Sequence, residues 1–180
     1  MIFQTMTNKE IAKRFVDVVN AYVDMHNKKM KRYGLTELIP KVDYLGNEEE
    51  DLLTRFSKQD FPDNTPHRHL FFFDEYRQNA EYIAFGGNPN YNDVYVVDKK
   101  TGQVLVFSEE EKFLNYCADT FASFLEAFII LINLDIELGQ KKKIINPLII
   151  LDDAVAAAGG EEYRAFYKFI FPISLEKMLN

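Results

Sequence analysis

Residues Glu81–Phe107, EYIAFGGNPNYNDVYVVDKKTGQVLVF, restrict the folds open to this chain more than any other stretch. Runs of β-formers, EYIAF, DVYVVD and QVLVF, are separated by GGNPNYN and KKTG. Val, Ile, Tyr and Phe suit a pleated surface, while Gly, Asn and Pro punctuate it. The pattern predicts a meander of three consecutive strands. In its second strand Val94 and Val96 face one way, with Tyr95 and Val97 on the other side. In its third strand Val104 and Val106 oppose Leu105 and Phe107. Both faces are apolar, which predicts cover on both sides of the sheet. The linking segment GGNPNYND lacks the Lys-Ser/Thr ending of a phosphate loop, and a strand follows it instead of a helix. It reads as a hairpin loop. Gly86, Gly87 and Asn88 are expected at positive φ, with Asp93 bonding to local backbone N–H groups.

Helical periodicity surrounds this meander. Asn8–Arg32 carries Ile11, Phe15, Val18, Tyr22 and Met25 at spacings of four and three, one continuous apolar face. Thr7 with Glu10 forms a capping box, and Gly34 closes the helix after a basic last turn. Asp119–Leu138 is apolar almost all round, which predicts deep burial or an interface. Asn146-Pro147 opens a further helix to about Ala158, and Glu161–Phe171 forms a last aromatic one before Pro172. Leu35–Pro66 is harder to read: LTELIP and VDYLG are short apolar anchors, and FPDNTP is turn chemistry. Asn47–Asp51 is an acidic run that opens a short helix through Phe56. Leu70–Phe73 reads as a core strand, and DEYRQNA as a turn or short helical bridge. The fold expected is α+β: an antiparallel or mixed sheet with a central three-strand meander, packed by N- and C-terminal helices. A chain of 180 residues fits one domain over 1–180, with 140–180 a helical C-terminal extension.

Composition excludes some functions. Formal charge is −7, whereas phosphate binding wants a basic face, so nucleic acid is not an expected partner. The longest apolar run, Phe128–Leu134, is broken by Asn133, so no membrane span is expected. The first residues, MIFQTMTNKE, lack the pattern of a signal peptide. A lone Cys117 rules out an intramolecular disulfide and fits a reducing, cytoplasmic setting.

Chemistry-bearing groups are sparse. His67 and His69 fall on one side of a strand near Asp74 and Glu75, a conceivable metal pair. No second His–carboxylate pattern supports a metal, and surface or hydrogen-bonded histidines are the expectation. Cys117 sits among apolar residues with no activating neighbour. Neither a nucleophile–base pair nor a carboxylate pair is marked, so catalysis, cofactor and metal are all unexpected.

The order of features after Glu81 is more specific. A strand ends in Phe85-Gly86, and a polar turn leads to Asp93, Tyr95 and Val97-Asp98. Thr101-Gly102 and Val104 follow, then Ala118 and a helix with Phe121, Phe124 and Leu125. This pattern, over about Glu81–Leu134, resembles the SUKH superfamily of fungal cell-wall-assembly regulators and bacterial immunity proteins. The resemblance implies an α+β domain that works by binding. Its bacterial members are similar to antidotes that neutralise a cognate toxin domain, often a nuclease. An acidic surface suits that role, because a nuclease is basic where it holds phosphate. The candidate contacts are Glu48, Glu49, Glu50 and Asp51, Glu109, Glu110 and Glu111, and Tyr91 as an aromatic anchor. A small-ligand or peptide-binding regulatory domain is the alternative, its aromatic surplus lining a groove.

Overall fold

The computed structural model describes residues 6–44, 50–61 and 67–172. Its elements are α1 (Asn8–Arg32), α2 (Leu52–Ser57), β1 (Phe71–Gln78), β2 (Tyr82–Asn88) and β3 (Asp93–Asp98). Then come β4 (Val104–Phe107), β5 (Phe113–Ala118), α3 (Phe121–Gly139), α4 (Pro147–Ala158) and α5 (Arg164–Ile170), the last after a 3-10 turn at Glu161–Tyr163. Glu48, Glu49, most of the FPDNTP turn and the tail after Pro172 lie outside the described residues.

α1 begins and ends where its residues dictate. The Thr7 hydroxyl accepts from the Glu10 N–H at 3.3 Å, and the Glu10 carboxylate accepts from the Thr7 N–H at 2.7 Å. Gly34 closes the helix at φ +73°. Asn20 and Asn27, two turns apart on α1, then hold the returning chain. The Asn20 amide donates to the Val42 carbonyl at 2.8 Å and accepts from its N–H at 2.7 Å. Asn27 brackets Ile39 in the same way, at 2.7 and 2.9 Å. These bonds pair the backbone of a segment that has no strand or helix of its own. They explain why sequence periodicity says little about it.

The sheet has five strands in the order β1-β2-β3-β4-β5, every neighbour antiparallel. The fold is therefore α+β, and the three-strand meander is the centre of a five-strand one. Two strand assignments differ from expectation. DEYRQ is not a turn or helical bridge: β1 continues through it, past a register shift between Phe72 and Arg77. FLNYCA, unassigned from sequence, is β5, whose register shifts between Val106 and Phe107 of β4 hide its alternation. Gly86 and Gly87 also differ. Both lie inside β2, and the positive-φ glycines among the described residues are Gly34, Gly102, Gly159 and Gly160. The hairpin's left-handed residue is Asn92, at φ +55°. Asn88 makes the local side-chain bond expected of Asp93, accepting from the Asn90 N–H at 3.1 Å. Asp93 instead starts β3, where burial pushes its carboxyl up.

One side of the sheet meets the helices. Phe85, Tyr95, Val97, Val104 and Val106 join Phe15, Phe121, Phe124, Leu125 and Phe128 in the core. The Phe124 ring sits 5.5 Å from Phe85 and 5.2 Å from Tyr95 between centroids. α1 and α4 flank α3, and α5 reaches β5. Tyr163 fastens the later helices to the start of α3: its hydroxyl donates to Asp119 and receives a bond from Gln103 at 3.2 Å. Val96 and Leu105 point the other way, outside that core. Both are nonetheless only 6% exposed, so they are covered without belonging to the helix-packed core.

Gly86 is placed by contact, not by backbone angle. A Cβ there would lie 2.1 Å from the Phe71 carbonyl oxygen, a backbone atom that cannot move without opening β1. Gly86→Ala should therefore cost about 3 kcal/mol, the upper range for overpacking. Urea denaturation of the purified variant measures this, and a loss under about 0.5 kcal/mol would contradict so tight a β1–β2 approach.

Candidate functional site

Antiparallel connectivity sends the 88–93 hairpin and the 108–112 turn to the same end of the sheet. β1 also starts there, with Phe71 opposite Gly87. This loop end brings together Tyr91, Glu109, Glu110 and Glu111. All four are exposed. The turn is well defined: the Ser108 N–H donates to the Lys112 carbonyl at 2.8 Å, and Glu111 takes φ +61°. Glu110 pairs with Lys112 at 2.5 Å. Tyr91 is not a free anchor. Its ring packs against Phe169 at 5.0 Å and lies nearly parallel to His69 at 6.4 Å between centroids. That leaves the side chain half-exposed and held on both sides.

The first acidic run lies elsewhere. Asp51 caps α2, accepting from the Thr54 N–H at 3.0 Å and from its hydroxyl at 2.5 Å. Those bonds, led by the Thr54 side chain, hold its carboxyl below the usual range. Glu50 pairs with Lys58. α2 packs on α1, α3 and β1, the edge strand opposite β5. Three strand spacings, roughly 14 Å, separate β1 from β4, where the second acidic run begins. The two runs do not form one continuous patch among the described residues.

Beneath the loop end sits a buried histidine pair. His67 is 2% exposed and His69 8%. His67 Nε2 lies 2.9 Å from the Asp135 carboxylate on α3, and its Nδ1 accepts from the His69 N–H at 3.1 Å. Burial pushes the Asp135 carboxyl up, but the hydrogen bond from His67, with the nearby Arg68 guanidinium, outweighs it and holds it low. A His–Asp pair of this kind suggests general-base chemistry. Here the geometry opposes it, because both ring nitrogens are already bonded and no lone pair is left to take a proton. The pair acts as a tie between the start of the sheet and α3. Asp135 is 68 residues from His67 in sequence, and no local signal announces it.

His69 completes the support for the hairpin. Its Nδ1 lies 3.4 Å from the Asn88 carboxamide oxygen and 3.3 Å from the Asn90 amide nitrogen. Its carbonyl accepts from the buried Tyr95 hydroxyl at 2.8 Å. Burial, and then the neighbouring His67 and Arg68, lower its pKa to about 4. The ring is neutral at physiological pH, which suits a surface on which Tyr91 stacks. Cys117 is fully buried and its thiol is pushed well up by burial, so it is no nucleophile. Among the described residues no three His, Cys, Asp or Glu side chains converge as metal ligands. A recess lined by Ala80–Tyr82 and Asp98–Lys100 lies at the opposite end of the sheet. It holds no nucleophile–base pair: Asp98 accepts from the Lys100 and Thr101 N–H groups, and Lys99 donates to the Asn79 carbonyl. No helix among the described residues is long and apolar enough to cross a membrane.

The histidine support has a pH signature. In the unfolded chain His69 titrates near 6.5, but in the fold only at about 4. Between those values the unfolded state binds the extra proton, so stability is lost as pH falls. The expected loss is about 2 kcal/mol by pH 4, less than the full shift because the ring keeps some hydration. Burial raises Asp93 and Glu126, which act in the opposite sense. The informative quantity is the difference between wild type and His69→Gln across urea denaturations at several pH values. The variant should show a flatter profile, and an identical slope would remove His69 as the cause.

No protein-family model matches this chain, and no curated protein or solved structure does either.

Proposed function

We propose that the chain is a non-catalytic protein-binding domain of the immunity type, acting in the cytoplasm to neutralise a cognate toxin by direct contact. The observation that carries this reading is the loop end of the sheet. There Glu109–Glu111 stand exposed beside a β-edge, and Tyr91 is held between Phe169 and His69. A pre-positioned aromatic beside clustered carboxylates fits a protein contact, because little side-chain freedom is left to lose on binding. The partner it suits is a basic domain, a nuclease among them, whose phosphate-holding surface the carboxylates imitate. The resemblance of Glu81–Leu134 to the SUKH pattern points the same way. Catalysis finds little support, since the buried His67–Asp135 pair is internally saturated and Cys117 is sealed.

The test is capture of the toxin encoded beside this chain's gene, scored by binding and by rescue of the poisoned cell. Reversing Glu109, Glu110 and Glu111 to Lys should weaken capture at least about tenfold, chiefly through slower association at low salt. Tyr91→Ala should raise the dissociation rate by a similar factor. Affinity unchanged in both variants, with binding by wild type intact, would take the contact away from the loop end. Absence of wild-type binding and rescue would remove the antidote reading itself.

A further inference from the structure

The outward face of the sheet departs from the usual rule for antiparallel sheets. A solvated face alternates apolar-in with polar-out. Here the outward positions of the central strands are Val94 and Val96 on β3, and Leu105 and Phe107 on β4. β5 continues the face with Phe113 opposite Phe107 and Tyr116 opposite Leu105. Phe113 and Tyr116 are each 47% exposed on an edge strand. Tyr82 of β2 leans diagonally to meet Phe107 at 5.3 Å, a line that passes over Val96. Phe107 meets Phe113 at 6.0 Å, and Phe113 meets Tyr116 at 4.9 Å. This ladder of outward rings crosses the sheet from β2 to β5 without a helix ring among its ring contacts. The rings cover Val96 and Leu105, each 6% exposed, and leave Phe113 and Tyr116 open to solvent, an apolar surface suited to docking.

The charges at its two ends indicate the occupant. The loop end carries Glu109, Glu110 and Glu111. The opposite end carries Lys99 and Lys100 in the β3–β4 turn and Arg77 at the end of β1, three basic groups against the two acidic ones Glu81 and Asp98, so it is net basic. A uniformly basic partner covering the whole face would meet like charge at that second end. A second copy turned end for end meets opposite charge at both. A two-fold axis between the sheets, perpendicular to the strands, makes this arrangement. It lays the β4–β5 turn of one copy opposite the partner's β3–β4 turn, offset sideways by about one strand spacing, ~4.8 Å, across the gap between the sheets.

We infer that the outward sheet face, from Tyr82 across Phe107 to Tyr116, is the interface of a two-fold homodimer with the strands of the two copies antiparallel. The sheets pack face to face about 10 Å apart, with the aromatic ladders interdigitated. The inference does not depend on the toxin contact, which uses only the loop end. Because both engage Glu109–Glu111, dimer and complex exclude one another at that turn.

Sedimentation equilibrium of the full chain alone tests this. Wild type should be dimeric at tens of micromolar. Phe113→Thr with Tyr116→Thr, which keeps strand propensity at exposed positions, should weaken the dimer at least about tenfold, with a thermal melt that matches wild type at dilutions where both are monomeric. A second pair of variants tests the pairing of charged ends. Lys99→Glu with Lys100→Glu in one chain, and Glu109→Lys with Glu110→Lys in another, should each weaken self-association. Mixed, they should form a one-to-one dimer, because each end then meets its opposite. A monomeric wild type overturns the inference, as does a dimer indifferent to the Thr variants. A mixture that stays monomeric overturns the pairing of charged ends on which the seat rests.

Discussion

The packing of α3 on the centre of the sheet is the interaction the rest of the molecule depends on. Phe124 sits between Phe85 and Tyr95, and Phe128 follows one turn later, 4.6 Å from Phe124. Phe85, Tyr95, Phe124 and Phe128 are all fully buried. Burying side chains of this size is worth about 2–3 kcal/mol each relative to exposure, before the cost of ordering them. With α3 seated, α1 and α4 can lie along its flanks, and Asp135 is carried to His67 at the start of β1. The loop end is therefore set by the core beneath it. Tyr91 is held because His69 is held, and His69 is held because Tyr95, a core residue, donates to its carbonyl.

That dependence separates the two faces of the sheet. Both carry apolar side chains, yet the helices all connect on one side. The N-terminal helix and the helices after β5 reach the core face, filling it with aromatic contacts from Phe15 to Phe166. Once α3 occupies that face, Val96 and Leu105 on the opposite face stay outside the helix-packed core. Val96 and Leu105 are themselves buried, but Phe113 and Tyr116 stand 47% exposed at the edge of this face and are costly to leave in water, which is the physical reason to expect a second protein surface there.

Local signals in the sequence located what local physics decides. The Thr7–Glu10 capping box, Pro147 at a helix start and the Val-rich strands around Thr101-Gly102 all appear at the expected places. The missing pieces depend on distant residues. β5 escaped because its register shifts break the two-residue period on which strand reading relies. β1 was cut short because Asp74 and Glu75 lie within a shifted stretch whose pairing no alternation reveals. Gly86 suggested a turn by its residue type, but its role is to let the Phe71 carbonyl approach. At the candidate site, Tyr91 was legible as an exposed loop residue and Glu109–Glu111 as an exposed run after the third strand of the meander, and their sharing one sheet end follows from the meander. The tie from His67 to Asp135, the loss of Asp51 to a helix cap and the ring that holds Tyr91 required the tertiary structure.

The central claim is that this fold seals one face of its sheet with helices and offers the other for binding. Paramagnetic broadening by a soluble nitroxide, read on labelled side chains over a dilution series, measures it most directly. The account predicts that Leu125 and Val104 stay sharp at every concentration. Phe113 and Tyr116 should broaden strongly when dilute and recover as the concentration rises. Equal protection of both groups at high dilution would mean that the chain itself covers the outward face, and would contradict the account.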